Sequence, residues 1–382
     1  MYIRWIIYLC ISLIVCSSCS DDDEVPADRV ANRTVLFYMA ADNNLSSYGV
    51  DNLQEILKGA QSHGLKQENL LVYMDPYRDV PMLLQIHENK TGEMAIDTLQ
   101  RYPEHSSVSS DVMKGVIDEV LAAFPAQSYG LVLWSHGTSW LPQDFSSKLR
   151  SFGMDNQEEM EIETLADALP DKTFDYILFD ACYMASIEVA YELRNKCNFI
   201  IGSPAEVLAS GFPYRQIVPY LFGNEAQLQQ ICQAFYDFYN QKSGLYRSGA
   251  VTLTATAELE QLASMVQEIL KDKEMEMAQL PLQDIQPLDL LSYRYHLLYD
   301  LDDFIRHLTT DEQYEDFQGC LDKVVRYAQT TPKITYGLSS NAQLAMEHYS
   351  GLSVYIPQSA YPQLNQWYQT HTAWGKAMRV NP

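Results

Sequence analysis

Positive charge is scarce in this sequence. Its 382 residues include 26 lysines and arginines against 50 aspartates and glutamates, which gives a formal net charge of −24 at pH 7. Proteins that bind nucleic acid or anionic membrane surfaces through charge need clustered lysine and arginine, so the composition argues against both classes. Hydrophobic residues make up 47% of the chain, enough for a large buried core, which excludes a disordered protein.

Cysteine is also rare, at seven residues, and several hydrolase motifs are missing. The cysteines beyond residue 20 are too few and too widely spread to form a disulfide scaffold. Cys232 and Cys320 lie in helical apolar patterns and are predicted to be core residues, whereas Cys197 stays undecided. The sequence has no Gly-x-Ser-x-Gly segment and no His-Glu-x-x-His helix, which excludes two common hydrolase sites.

The first residues are typical of a targeting segment. An apolar run at residues 5–16 is short for a membrane span, and acidic residues follow Cys19 at once. Residues 1–18 therefore resemble a bacterial lipoprotein signal peptide with Cys19 as the lipidated residue. Cleavage as an ordinary secretory peptide is the alternative, because Cys16 stands where such signals usually carry leucine. Residues 19–32 are expected to form an acidic tether.

The acidic stretch after Cys19 has a further implication for location. It resembles the surface-export signal of Bacteroidetes lipoproteins. This resemblance implies an outer-membrane lipoprotein of the bacterial cell envelope, attached through its N-terminal lipid and open to surface exposure.

Apolar runs alternate with helical patterns over the first 200 residues. The alternation predicts an α/β fold with a mostly parallel central sheet flanked by helices. The strands of this sheet are predicted at residues 34–40, 70–74, 129–134, 176–179 and 199–202. An acidic stretch with proline at residues 271–287 indicates a boundary. We therefore expect a main domain at residues 33–270 and a C-terminal α+β subdomain at residues 271–382 packed on it.

Cys182 is a candidate nucleophile because it follows the fourth predicted strand. Helical spacing resumes with Met184 and Ile187, so the sequence predicts that Cys182 lies just before a helix N-terminus. The partial positive charge of a helix N-terminus lowers the pKa of a thiol and favours the thiolate. An inert, packed cysteine is the alternative, since free cysteine is among the most buried residue types.

A histidine follows the third predicted strand. The carboxyl ends of parallel strands meet at one edge of a sheet, so we expect His136 to lie near Cys182 as its acid–base partner. Gly137 permits a tight turn, and its backbone N–H is a candidate to form an oxyanion hole with that of Cys182. A structural, hydrogen-bonded histidine is the alternative.

Several segments together resemble a known family. They lie at residues 38–45, 131–137, 180–188 and 203–214, with weaker similarity at 299–304 and 351–357. They are similar to the clostripain-like cysteine peptidases of the caspase, legumain and gingipain clan. This resemblance implies a caspase-like fold and a cysteine endopeptidase in which Cys182 and His136 act through a thioester acyl-enzyme.

The resemblance also implies a substrate preference. Asp180 corresponds to an acid in the pocket for the residue before the scissile bond, which implies cleavage of protein or peptide substrates after arginine or lysine. The second acid of that pocket is not obvious in this sequence. Glu206 is nearest, and Ser210 stands where an acid is expected.

The polar segment at residues 143–153 separates the two catalytic strands. Clostripain-like enzymes resemble zymogens that cleave themselves between histidine and cysteine, so we expect self-cleavage after Arg150, with Lys148 as a second site. An ordinary surface loop that is never processed is the alternative.

A noncatalytic protein is the competing functional class. A cell-surface lipoprotein that binds glycan or protein could use the 26 tyrosines and 5 tryptophans, although aromatic residues at strand and helix spacing are more often core. No cofactor or metal is predicted, and a calcium requirement is left open. The acidic run at residues 300–303 is interpreted as a helix start, because Ile305 stands where a calcium loop needs glycine.

Overall fold

The computed structural model describes residues 30–142, 151–156, 158–291 and 296–379. The strands in this part of the chain are β1 Ala31–Ala41, β2 Glu68–Pro76, β3 Met82–Glu88, β4 Met94–Arg101, β5 Ala126–Trp134, β6 Phe152–Asp155, β7 Glu158–Met160, β8 Phe174–Asp180, β9 Cys197–Gly202, β10 Ala250–Ala255, β11 Leu298–Asp300, β12 Val325–Thr330, β13 Lys333–Tyr336, β14 Ala342–Ala345 and β15 Ser353–Tyr355. The helices are α1 Ser46–His63, α2 Ser110–Ala123, α3 Ile162–Ala168, α4 Ile187–Glu192, α5 Tyr214–Ile217, α6 Glu225–Asn240, α7 Leu259–Leu270, α8 Glu274–Ala278, α9 Leu301–Arg306, α10 Asp311–Val324, α11 Pro362–His371 and α12 Ala373–Ala377.

One large sheet organises the described residues. Its strand order is β12-β10-β9-β8-β5-β1-β2-β3-β4. The central strands β9, β8, β5, β1 and β2 run parallel to one another. They are the five strands predicted from the apolar runs, so the predicted α/β fold with a mostly parallel sheet flanked by helices is confirmed.

The central strands are buried on both faces, which explains their continuous apolar sequences. Successive side chains of a strand point to opposite faces of the sheet. In β1, Leu36 and Tyr38 pack into one apolar layer, whereas Val35 and Phe37 pack into the other. Helices cover both layers, so the sheet is a rigid base for the residues at its carboxyl edge.

The outer strands were not all visible in the sequence. β3 pairs antiparallel with β2, and β4 pairs antiparallel with β3 at the edge of the sheet, where it is largely solvent-accessible. An accessible edge strand can carry polar residues, so it lacks the apolar run that marks a central strand. Helices α11 and α12 are separated at Thr372, because this residue is extended and caps α12 by accepting from Gly375 N–H.

The C-terminal segment shares the main sheet. β12 pairs antiparallel with β10, and the described residues from Ala31 onward belong to one compact unit. The boundary at residue 270 between a peptidase domain and a subdomain stays a prediction. Cys232 and Cys320 are buried, as expected, and so is Cys197. No helix in the described part of the chain has the length and apolar character that crossing a membrane requires.

Candidate active site

The strand register brings the two predicted catalytic residues to one place. Trp134 at the end of β5 pairs with Asp180 at the end of β8, and Ser135 N–H donates to the Asp180 carbonyl oxygen at 3.3 Å. His136 and Cys182 each lie two residues beyond that pair. Both line a cavity of about 360 Å³ at this edge of the sheet.

The cavity also contains the other described residues that the sequence singled out for the site. Gly137, Asp180 and Glu206 line it together with His136 and Cys182. These residues follow three different strands, and the parallel order of those strands brings their ends together. The sheet edge thus assembles a thiol, an imidazole and two carboxyl groups around one opening.

Cys182 carries a protonated thiol in this arrangement. Its Sγ lies 3.3 Å from the backbone N–H of Val207, which donates to it, and 3.6 Å from the Val207 carbonyl oxygen, to which the thiol donates. Burial raises the pKa of the Cys182 thiol to about 12; the nearby Glu206 carboxyl group contributes to this rise, whereas the hydrogen bond from Val207 N–H opposes it. The expected lowering of this pKa is therefore wrong for this arrangement.

The physical reason is the position of the helix. α4 begins at Ile187, where Ser186 caps it by accepting from Val189 N–H, so several residues separate its N-terminus from Cys182. The effect of a helix dipole falls off beyond the first turn. The prediction that Cys182 lies just before a helix N-terminus is wrong because Met184 belongs to a connecting segment and not to the helix.

That connecting segment has a fixed shape. Tyr183, directly after Cys182, has a φ of 64°, which is unusual for a residue with a bulky side chain. Its N–H donates to the Ala205 carbonyl oxygen at 3.0 Å, and Ala185 N–H donates to Ser203 at 3.0 Å. These bonds to the segment after β9 hold the backbone in a costly conformation, as functional segments often require.

His136 is oriented by a residue that the sequence did not single out. Its Nε2 lies 2.8 Å from Oδ1 of Asn44, which follows β1. An amide oxygen accepts, so Nε2 carries the hydrogen, and the neutral ring has its lone pair on Nδ1. The signal was available, because Asn44 lies in the similar segment 38–45 and follows the strand beside β5.

Gly137 allows the segment after β5 to pack closely against the segment that contains Cys182. A Cβ atom at this position would lie 2.7 Å from the Cys182 carbonyl oxygen and 3.1 Å from Ala181 Cβ. Thr138 N–H donates to Ser151 at 3.0 Å and Gly153 N–H donates to His136 at 2.9 Å, so residues 136–138 form a short bridge to β6. Glycine is needed here for close packing rather than for a tight turn.

Asp180 presents a buried carboxyl group to the cavity. Its Oδ2 accepts from Phe212 N–H at 3.1 Å and from the Tyr214 hydroxyl at 2.6 Å. Burial raises the pKa of Asp180 to about 6, although both hydrogen bonds oppose that shift. A Cβ at Gly211 would lie 2.3 Å from Oδ2, and Gly211 has a φ of 63°, which explains the glycine of the Gly-x-Pro-Tyr segment.

Glu206 lies in the same cavity but is already engaged. Its Oε1 accepts from Gly337 N–H at 2.8 Å, and burial raises its pKa. Ser210, the position where an acid is expected from the resemblance, hydrogen-bonds the Tyr239 hydroxyl at 3.0 Å instead. Among the described residues of the cavity lining, Asp180 and Glu206 are thus the two acids.

Known proteins similar to this chain belong to one protease family. A model of the clostripain family matches residues 37–379. The chain belongs to the clostripain family. Clostripain from Hathewaya histolytica is 24% identical over 220 residues, which cover 48% of this chain and 41% of that protein. The match thus spans less than half of the length of this curated relative.

Two solved structures of clostripain-type proteases resemble the whole chain more closely. An inactive zymogen C11 protease from Parabacteroides distasonis is 40% identical, with a TM-score of 0.84 over 93% of this chain and 100% of the other. A secreted C11 cysteine protease from Bacteroides thetaiotaomicron, in complex with an irreversible peptide inhibitor, is 31% identical, with a TM-score of 0.80 over 91% and 99%. The predicted family and the caspase-like fold are confirmed.

The remaining predicted sites of this clostripain-family chain lie outside the described residues. They are the lipidation site Cys19 and the cleavage sites Lys148 and Arg150. The described residues on either side of the two cleavage sites lie next to each other, because Ser151 Oγ donates to the Leu141 carbonyl oxygen at 3.2 Å. Within the described ranges, no group of three or more His, Cys, Asp or Glu residues is placed to hold a metal ion.

Proposed function

We propose that this clostripain-family chain is a cysteine endopeptidase in which Cys182 is the nucleophile and His136 the acid–base partner. The observation that carries the proposal is their convergence on one cavity at the paired ends of β5 and β8. His136 takes the proton of the thiol, the sulfur attacks the peptide carbonyl carbon, and the amine leaves with that proton while a thioester forms. Water, deprotonated by His136, then hydrolyses the thioester and restores the thiol.

The backbone N–H groups of Gly137 and Cys182 are proposed to bind the oxyanion formed in both steps. Two observations support this assignment. The hydrogen bonds of the bridge to β6 are donated by Thr138 N–H and Gly153 N–H and do not involve the Gly137 N–H. The backbones of residues 137 and 182 also pack against each other, as the missing space for a Cβ shows.

The substrate is proposed to be a peptide with arginine or lysine before the cleaved bond. Asp180 is buried beside the nucleophile, and a buried carboxylate pairs well with a guanidinium group. Glu206 adds negative charge to the same cavity. The peptide inhibitor bound to the Bacteroides thetaiotaomicron relative supports peptide substrates in general.

Chemical labelling tests the catalytic proposal. A peptide that ends in arginine and carries a thiol-reactive group should label the wild-type protein, and Cys182→Ala should abolish both labelling and hydrolysis. Cys197→Ala is the matched control, because Cys197 is buried at the start of β9, at the opposite end of that strand from the site. Unchanged turnover in Cys182→Ala would overturn the assignment of Cys182 as the nucleophile, and the absence of labelling and turnover in wild type would favour a noncatalytic binding protein.

Activation is proposed to occur by self-cleavage after Arg150, with Lys148 second. The Parabacteroides distasonis relative is an inactive zymogen, and the high pKa of the Cys182 thiol fits an uncut resting state. The segment also returns to the site, since Gly153 N–H donates to the His136 carbonyl oxygen. Mass spectrometry should find two fragments in wild type and one chain in Cys182→Ala. An intact chain in both, or the same cut in both, contradicts self-processing.

The proposed location is the outer membrane, with lipid attached to Cys19. Several acyl chains on one N-terminal cysteine anchor a protein stably, whereas one chain does not. The secreted relative supports a location outside the cytoplasm. Fractionation should show wild type with the membranes and Cys19→Ser in the soluble fraction, and a soluble wild-type protein would refute attachment.

A further inference from the structure

Leu338 lines the same cavity as Cys182 although it comes from a separate part of the chain. It lies at the tip of a hairpin in which β13 and β14 pair antiparallel. Ser340 closes the tip, since its N–H donates to the Gly337 carbonyl oxygen at 3.0 Å and its Oγ donates to Tyr336 at 2.7 Å. Leu338 is 38% exposed, so it has apolar surface available to a ligand in the cavity.

The body of this hairpin packs directly on the catalytic segment. Ile334 and Tyr336 are buried in a small apolar cluster with Tyr183, and Cys182 packs against the same cluster. The Tyr336 hydroxyl donates to the Leu288 carbonyl oxygen at 2.8 Å. The hairpin is thus fixed relative to the nucleophile at its base.

The tip is fixed by a second contact. Gly337, the neighbour of Leu338, donates its N–H to Glu206 Oε1 at 2.8 Å, and the two residues are 131 positions apart in the sequence. Glu206 therefore holds Leu338 at the edge of the cavity while facing that cavity itself.

The sheet order indicates which half of a substrate meets this hairpin. His136 follows β5, Cys182 follows β8 and Glu206 follows β9, and β8 lies between the other two strands. Since His136 protonates the leaving amine, the leaving half of the peptide lies on the β5 side of the nucleophile. The half that forms the thioester lies on the β9 side, where Glu206 and Leu338 are.

We infer that the tip of the β13–β14 hairpin is a wall of the substrate cleft, where Leu338 contacts an apolar substrate side chain on the N-terminal side of the cleaved bond. The inference rests on the proposed peptidase function. The substrates are then peptides that combine a basic residue at the cleaved bond, held by Asp180, with an aliphatic residue shortly before it. Glu206 acts as a positioning residue for this contact through Gly337.

Peptides with arginine at the cleaved bond and either leucine or glycine at the two preceding positions test the inference. Wild type should prefer leucine at one position by about tenfold in kcat/KM, the effect of one aliphatic side chain in a pocket. Leu338→Ala should lose that preference and retain the preference for arginine. Ser339→Ala, an exposed neighbour on the same tip, is the matched control and should behave as wild type.

Two substitutions of Glu206 separate its hydrogen bond from its charge. Glu206→Gln keeps an oxygen acceptor for Gly337 N–H and should keep the leucine preference, whereas Glu206→Ala should lose it. A leucine preference that persists in Leu338→Ala would overturn the inference. It would also be overturned if Leu338→Ala changed only the preference for arginine at the cleaved bond.

Failure of the proposed function is distinguishable from failure of this inference. If no peptide is cleaved, the peptidase proposal fails, and binding of the same peptides to Cys182→Ala protein is measured by calorimetry. Tighter binding of the leucine peptide, lost on adding Leu338→Ala, supports the hairpin as a binding wall. Equal affinity for leucine and glycine peptides overturns it.

Discussion

Oδ1 of Asn44 lies 2.8 Å from Nε2 of His136, so the side chain after β1 orients the imidazole after β5. The contact fixes which nitrogen of the neutral ring carries the hydrogen. In the proposed mechanism it therefore connects the outer edge of the site to proton transfer at Cys182, which follows the strand on the other side of β5 in the sheet.

Asn44→Ala should lower kcat by about ten- to hundredfold, less than the full contribution of general acid–base catalysis, because the ring loses its orientation and a hydrogen-bond acceptor that favours its protonated form. KM should change little. A purely structural role would leave the pH–rate profile unchanged, so a shifted acidic limb is the diagnostic measurement. Asn44→Asp keeps the acceptor and should restore much of the rate; equal losses in both variants would contradict orientation by hydrogen bonding.

Asp180→Asn should lower kcat/KM for an arginine peptide on the order of a hundredfold, because a buried charge pair is lost. With a pKa of about 6, Asp180 becomes neutral as the pH falls through that value, so the wild-type preference for arginine over glutamine should decline there. Using the ratio of two peptides cancels titration of the catalytic pair. A ratio that is independent of pH between 5 and 8 would refute this role of Asp180.

Glu206→Gln should speed alkylation of Cys182 by iodoacetamide at neutral pH by roughly three- to tenfold. The negative charge of Glu206 is the second cause of the raised thiol pKa, after burial. Removing this charge should therefore increase the fraction of Cys182 that is thiolate. Glu315→Gln on α10 makes the same change of net charge at an exposed position outside the cavity and serves as the control. Identical alkylation rates in all three proteins would contradict the electrostatic coupling.

Glu188→Gln should flatten the dependence of stability on pH. Burial raises the pKa of Glu188 to about 7, above its ordinary value near 4.5. The protonated group is favoured in the fold, so its contribution is fully present below about pH 4.5 and is lost as the pH rises through 7, up to about 3 kcal/mol. Urea unfolding at pH 5 and 8 measures this, and equal losses in wild type and variant would refute it.

The sequence by itself determined the central sheet and the proximity of His136 to Cys182. Continuous apolar runs such as residues 34–40 mark strands buried on both faces, and parallel neighbours must bring their carboxyl ends to one edge. This rule brought His136 and Cys182 together, whereas the place of Asp180 in the substrate pocket was implied by the family resemblance. Glu206 was found only as the nearest acid after the fifth strand, without a partner.

Only the tertiary structure decided the electrostatics and the outer parts of the site. The thiol pKa depends on burial and on Glu206, and the late start of α4 depends on backbone bonds from Tyr183 and Ala185 to the segment after β9. The contact of Gly337 with Glu206 joins residues that no local pattern relates. Periodicity and strand ends report on neighbours along the chain and across one sheet, whereas burial, hydrogen bonding and charge at a site depend on which distant segments meet there.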